Sequence, residues 1–229
     1  MQIPTEFTWP IIAALSALAI AVLTWIYRRN RRSLATLRGA IFAPAYELFD
    51  SFRVTQAGIA YPELSGIYRG HAFHIDAVVD TLTVRKLPVL WLRVSLLAPL
   101  PGFATFDVLV RSHNVEFYSP SAELPHRLEP RPGWPGDAMI RTDNAGRLPD
   151  LAVLDRHIAI FAEPATKELL LTPKGVRVVH LLDQARRAEY LVLRQADFAG
   201  PQAAQELLRQ LMDRTIAIHH DLTSAGAPA

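Results

Sequence analysis

The pattern of apolar and polar positions begins with one uninterrupted apolar run, which covers residues 9–27. These nineteen residues contain no charge and no glycine. A helix rises about 1.5 Å per residue, so the run spans about 28 Å and matches the hydrocarbon core of a bilayer. Trp9 stands at one end, and Trp25 and Tyr27 stand at the other, where amphipathic rings prefer the headgroup level. The pattern predicts a transmembrane helix.

Two other interpretations of this run are weaker. A cleaved signal peptide has a positively charged start, a shorter apolar core and a small-residue cleavage site. Residues 1–8 contain no Lys or Arg, and the run ends in the bulky Trp25, Ile26 and Tyr27. A buried helix of a globular domain rarely continues this far without a polar face. We therefore expect a retained anchor.

The charges that flank the run predict its orientation. Arg28, Arg29, Arg31 and Arg32 follow it, whereas no basic residue precedes it. Flanks rich in Lys and Arg remain in the cytoplasm and suit anionic lipid headgroups. We expect residues 1–8 outside, the arginines at the headgroups of the inner leaflet, and the bulk of the chain in the cytoplasm.

Period-two alternation begins near residue 63 and predicts strands. In residues 71–80, Phe73, Ile75 and Val79 fall on one face, and His74 and Asp76 fall on the other. Further strands are predicted at 64–69, 89–97, 105–111, 115–118, 167–172, 176–182 and 189–195. Their close spacing favours antiparallel pairing over βαβ crossovers.

Helical spacing of apolar positions predicts two helices after the first one. Residues 150–163 form the shorter, with Asp150 as its N-cap, and residues 201–222 form a long C-terminal helix that starts at Pro201. The fold class is therefore α+β: an N-terminal transmembrane helix, then a mainly antiparallel sheet with packed helices.

This interpretation gives a predicted domain organisation. It consists of a short external N-terminus (1–8), the transmembrane helix (9–27), a basic flank and connector (28–62), the α+β domain (63–222) and a flexible tail (223–229). We expect the hydrophobic core to lie entirely downstream of about Leu48.

Charge and cysteine content exclude several classes of protein. Five of the 24 basic residues and one of the 22 acidic residues precede Gly39, which leaves 19 basic and 21 acidic residues and a net charge of −2 from Gly39 onward. A nucleic-acid partner is not expected, because it needs a basic face on the domain. The absence of cysteine excludes disulfides, thiolate catalysis and Cys-based metal sites.

Three short segments carry a resemblance to a known layout. They are GIYRG at 66–70, GDAMIR at 136–141 and LLLTPKGVRV at 169–178. Together they resemble a layout found in membrane-tethered bacterial α+β proteins with no assigned activity. The resemblance covers residues 64–222 and implies a bacterial origin, hence an inner-membrane location, without implying an activity.

The best metal-like pattern is His74 with Asp76 and Asp80 on one strand face, while His71 points to the other. Because no characteristic ligand spacing accompanies it, a solvated strand face is favoured. His219 and His220 are better explained by the C-terminal end of the last helix than by metal binding. No metal or cofactor is predicted.

The sequence also contains no complete motif for nucleophilic catalysis or for phosphate binding. Ser112 and His113 follow Asp107, but adjacent strand residues face opposite ways and no nucleophile elbow is present. Four basic residues interleave with aromatic residues, which suits either contact with anionic lipid or exposure on a strand face. They are Arg69, Arg85, Lys86 and Arg93. Trp91 and Trp134 are expected to anchor core and loop.

Two function classes remain. The first is a non-enzymatic module at the cytoplasmic face of the membrane that binds another protein or assembles with itself. The second is a membrane-tethered hydrolase or metal enzyme that uses His74, Asp76, Asp107 and His113. A deep pocket that gathers three or more of these four residues would favour the enzyme.

Overall fold

The structure is a computed structural model that describes residues 8–81, 87–112, 116–185, 198 and 200–225. Its α-helices are α1 (Thr8–Gly39), α2 (Leu151–Asp155) and α3 (Gln205–Ala225). Its strands are β1 (Ser51–Thr55), β2 (Glu63–Tyr68), β3 (His71–Asp80), β4 (Val89–Leu96), β5 (Phe106–Leu109), β6 (His126–Leu128), β7 (Met139–Thr142), β8 (Thr166–Thr172) and β9 (Gly175–Gln184). Short 3₁₀ turns cover Ala43–Leu48, Ser121–Glu123 and Ile158–Ala162.

The α1 helix contains the apolar run and continues past the arginines. Its apolar window has a mean hydropathy of 2.1, and none of it is buried against the rest of the chain. By length and composition α1 is able to cross a membrane. The helix ends at Gly39, and Pro44 lies in the 3₁₀ turn that follows.

The nine strands form one sheet in the order β1-β2-β3-β4-β9-β8-β5-β7-β6, and every adjacent pair is antiparallel. The first four strands make a meander, as their close spacing predicts. The β2–β3 turn places Arg69 and Gly70 at φ 49° and 77°, a backbone region that glycine adopts easily. The predicted α+β class with an antiparallel sheet is confirmed.

One face of the sheet carries the main hydrophobic core. The α3 helix packs across β4 and β9 on this face, with Leu208, Met212 and Ile218 fully buried. Trp134 also joins this core and donates from Nε1 to Asp155 Oδ1 over 2.6 Å. Among the described residues, the opposite face carries a small apolar cluster around Trp91, Tyr118 and Val179. Each face therefore provides a different environment for polar side chains.

The core also includes residues that lie upstream of the expected limit at Leu48. Ile41, Phe42 and Ala45 have no exposed surface and pack in the main core. The expectation that the core lies entirely downstream was wrong, because the chain turns into the domain immediately after α1. The anchor helix and the domain are therefore joined by packed residues.

Several element limits differ from the predicted ones. The α3 helix begins at Gln205 instead of Pro201 and runs to Ala225, so His219 and His220 lie more than one turn before its end. Residues 116–118 form a turn instead of a strand, while the predicted strand at 189–195 lies outside the described residues. Asp150 is confirmed as an N-cap, because its side chain accepts from the Ala152 N–H. The helix it caps is short and gives way to the 3₁₀ turn Ile158–Ala162.

Candidate functional site

The aromatic and basic residues predicted for the membrane boundary form contacts along α1. The guanidinium of Arg29 lies 5.4 Å from the ring centroid of Trp25, and that of Arg31 lies 5.6 Å from the ring of Tyr27. All four arginines from Arg28 to Arg32 are exposed, as is Trp9. Guanidinium groups over aromatic faces form cation–π contacts, which here place the cations and the rings at the same level of the helix.

The end of α1 is fixed to the loop that precedes β2. Arg38 Nη1 donates to the Ile59 carbonyl over 2.7 Å, and its guanidinium lies 5.1 Å from the Tyr61 ring centroid. Gln56 Nε2 donates to the Ala35 carbonyl over 2.9 Å. These contacts, together with the buried Ile41, fix the direction in which the helix leaves the domain.

The predicted His74–Asp76 pair lies on the sheet face opposite α3. Arg93 binds Asp76 in bidentate fashion, with Nη2 2.5 Å from Oδ2 and Nε 3.1 Å from Oδ1. Ser65 Oγ lies 3.1 Å from His74 Nδ1, whereas His74 Nε2 is 3.9 Å from Asp76 Oδ1 and thus beyond hydrogen-bond distance. Because Arg93 occupies both carboxylate oxygens, these residues do not form a catalytic triad.

The other candidate residues are elsewhere. Asp107 lies on β5, separated from β3 by three strands, or roughly 19 Å at the usual strand spacing. His113 lies outside the described residues, as do Arg85 and Lys86, while Arg69 pairs with Asp213. No group of three or more His, Cys, Asp or Glu side chains in the described part of the chain is arranged to hold a metal ion.

Asp107 instead forms a buried carboxyl pair with Glu168 of β8. Leu109 lies opposite Glu168 in the register, so the two acids occupy diagonal positions on one face. Both have no exposed surface. Burial raises the pKa of Asp107 to about 7, and burial together with the charge of Asp107 raises the pKa of Glu168 to about 8. At neutral pH the pair therefore retains a proton.

A second buried charge pair lies beside these acids. Lys167 Nζ is 2.9 Å from Glu116 Oε1, and the side chains are only 7% and 6% exposed. Lys167 occupies an irregularity of the β8–β9 register between Thr166 and Glu168. A β-bulge of this kind lets two consecutive charged side chains both enter the interior.

The side chains of Tyr118 and Trp91 cover the Glu116–Lys167 pair. The Tyr118 hydroxyl donates to Glu116 Oε2 over 3.0 Å, and the Tyr118 ring packs 5.5 Å from Trp91. Lys167 Nζ lies 5.8 Å from the Trp91 ring centroid. Ser119 completes the cover by donating to Asp107 Oδ2 over 3.4 Å. The segment after residue 115 is thus held over the sheet by polar contacts.

A cavity of about 190 Å³ opens beside this network, with charged side chains in its wall. Its polar lining consists of Asp80, Arg111, Glu116, Lys167 and Gln184. Asp80 was a candidate from the sequence, whereas Glu116, Lys167 and Glu168 were not. The only sequence signal for Lys167 and Glu168 was that these two adjacent charges directly precede three leucines in the segment 166–172. Chemically, the network can hold and exchange a proton, while its carboxyl pair is closed to substrate.

Comparison of the chain with protein-family models, curated proteins and solved structures gave no match.

Proposed function

We propose that this is a single-pass protein of a bacterial inner membrane whose α+β domain lies at the cytoplasmic face and acts as a non-enzymatic module for binding another protein or a second copy of itself. One observation carries the proposal: the chain enters the domain core at Ile41 and Phe42, directly after α1 ends at Gly39, without a flexible linker. The domain is thereby held next to the end of the apolar helix.

The charges support the proposed side of the membrane. The four arginines that follow the apolar run favour a cytoplasmic domain, and their exposed guanidinium groups suit anionic lipid headgroups. A domain held at a membrane meets partners in the same membrane at a raised effective concentration. Partner binding can therefore depend on the anchor as well as on the contact surface.

The distribution of the polar candidates supports a binding module over the enzyme. An active site would need at least three of the four candidate residues to converge. His74 and Asp76 are neighbours, three strands separate them from Asp107, and His113 lies outside the described residues. The Asp76 carboxylate is neutralised by Arg93. The buried Asp107–Glu168 pair has no exposed surface from which to act on a substrate.

The experiment separates anchoring from the contact surface. Two differently tagged full-length copies are expressed together, crosslinked in membranes and purified through one tag, to detect both self-association and other membrane partners. A flexible Gly–Ser insertion after Arg32 leaves the Ala35, Arg38 and Ile41 contacts intact but frees the domain from the helix. We expect this variant to lose crosslinked product, and the same insertion after Ser224 to keep it. If no specific product forms with the wild-type protein, the module proposal fails.

A further inference from the structure

A second cavity lies on the sheet face covered by α3, away from the Asp107–Glu168 pair. Its volume is about 430 Å³, and it is bounded by α3, by β8 and β9, and by the turn that follows α2. Its apolar lining consists of Ala159, Ile160, Leu207 and Leu211, and its polar lining of Glu163, Thr166, His180, Gln210 and Arg214. This volume lies within the range of small-molecule pockets, and the lining is more polar than is usual for such pockets.

Arg214 and Glu163 bring opposite charges to this cavity without neutralising each other. Neither side chain forms an ion pair within the described part of the chain. Glu163 Oε1 accepts only a weak hydrogen bond from the nearby Ala165 N–H, over 3.4 Å. Other arginines of the domain are paired with carboxylates: Arg69, Arg93, Arg131, Arg156 and Arg209. Arg214 is solvent-exposed and, like Arg127, has no carboxylate partner among the described residues, so its guanidinium group is available to a ligand in the cavity.

The buried wall of the cavity is neutral. Burial lowers the pKa of His180, so its imidazole is uncharged at neutral pH, and the charge of Glu163 acts weakly in the opposite direction. One ring nitrogen, Nδ1, lies 3.3 Å from Thr166 Oγ1. His180 makes no other hydrogen bond to the described residues, which leaves a second ring nitrogen for a ligand.

From this arrangement we propose that the cavity binds a small zwitterion of the amino-acid type, with its carboxylate on Arg214, its ammonium group on Glu163 and an apolar side chain against Leu207 and Leu211. A zwitterion satisfies both charges, because guanidinium groups bind carboxylates through paired hydrogen bonds. A ligand with only a carboxylate would bring a second negative charge next to Glu163. A ligand with only an ammonium group would bring a second positive charge next to Arg214. This inference is independent of the membrane placement.

The test uses the purified full-length protein in lipid nanodiscs and saturation-transfer NMR or calorimetry. The probes are leucine, 4-methylpentanoate, which lacks the amino group, and isoamylamine, which lacks the carboxylate. We expect saturable binding of leucine, and binding of the other two weaker by about tenfold, as expected for the loss of one charge-assisted hydrogen bond. Equal binding of leucine and 4-methylpentanoate would contradict the role of Glu163, and absence of leucine binding at millimolar concentration would overturn the proposal.

Variants locate the binding in the cavity. Arg214→Gln and Glu163→Gln should each weaken leucine binding about tenfold, with circular dichroism confirming that the fold is unchanged. Arg127→Gln is the matched control, because Arg127 is an exposed arginine without a described partner on β6. Unchanged leucine affinity in Arg214→Gln, or an equal loss in Arg127→Gln, would also overturn the proposal.

Discussion

The ammonium group of Lys167 lies 2.9 Å from the carboxylate of Glu116, and water reaches almost none of either side chain. The pair also joins the cover segment to the sheet, because Glu116 precedes Tyr118 and Lys167 belongs to β8. Removing one partner leaves a buried charge without its counterion, which usually costs about 3–5 kcal/mol.

We expect Glu116→Gln and Lys167→Met each to lower the free energy of unfolding by about 3 kcal/mol. The double variant should be more stable than either single variant, since both charges are then removed together. Chemical denaturation of the three variants measures this. Additive losses in the double variant would show that the two charges act independently.

The packing of Ile41 and Phe42 gives a prediction about fragments. A fragment that starts at Leu34 keeps both residues, whereas one that starts at Leu48 loses both. Deleting two fully buried large side chains should cost roughly 5 kcal/mol or more. We expect the longer fragment to melt cooperatively, and the shorter one to melt at a much lower temperature or without a transition. Equal melting temperatures would place the start of the core after Leu48.

The buried acids Asp107 and Glu168 predict how stability depends on pH. Both pKa values are raised in the folded protein, so the native state binds more protons than the unfolded state between about pH 4 and pH 8. Stability contributed by these groups is therefore present at low pH and is lost as the pH rises through their folded pKa values. We expect the free energy of unfolding to fall from pH 5 to pH 8 by several kcal/mol, on the order of 3 kcal/mol for each acid.

The variant Glu168→Gln tests this assignment. Glutamine does not ionise, so the decrease in stability between pH 5 and pH 8 should become smaller. His180→Gln is a contrasting variant: because the pKa of His180 is lowered, His180 makes stability rise with pH up to its ordinary pKa, so its removal should make the decrease between pH 5 and pH 8 larger and not smaller. If Glu168→Gln retains the full pH dependence, other groups are responsible for it.

The proposed orientation predicts the behaviour of reporter fusions. A reporter that is active only in the cytoplasm should be active after Ala229, while one that requires export should be silent. Replacing the four arginines from Arg28 to Arg32 with neutral residues and adding three lysines before Trp9 should invert part of the population. An active exported reporter on the wild-type protein would place the domain outside the cytoplasm.

Strong periodicity made much of the sheet predictable. β3 has the predicted limits, 71–80, because its apolar and polar residues alternate between a core face and an open face. β1, β6 and β7 were missed for other reasons. β1 is an edge strand that is largely exposed, and β6 and β7 contain three and four residues, too few to show a period.

The buried charges could not be predicted from local pattern. Lys167 and Glu168 are adjacent, and a regular strand would turn one of them towards each face. Only the irregular register of β8 places both in the interior. Their partners also come from distant parts of the chain: Glu116 lies 51 positions before Lys167, and Asp107 lies 61 before Glu168.

The packed junction at Ile41 has a mechanical consequence. A transmembrane helix adjusts its tilt when the thickness of the bilayer changes. With α1 fixed through Arg38 and Ile41, such a tilt cannot be absorbed by a linker and must rotate the whole sheet about the end of the helix. In the proposed membrane placement, the lipid composition of the bilayer would set which edge of the sheet points away from the membrane into the cytoplasm.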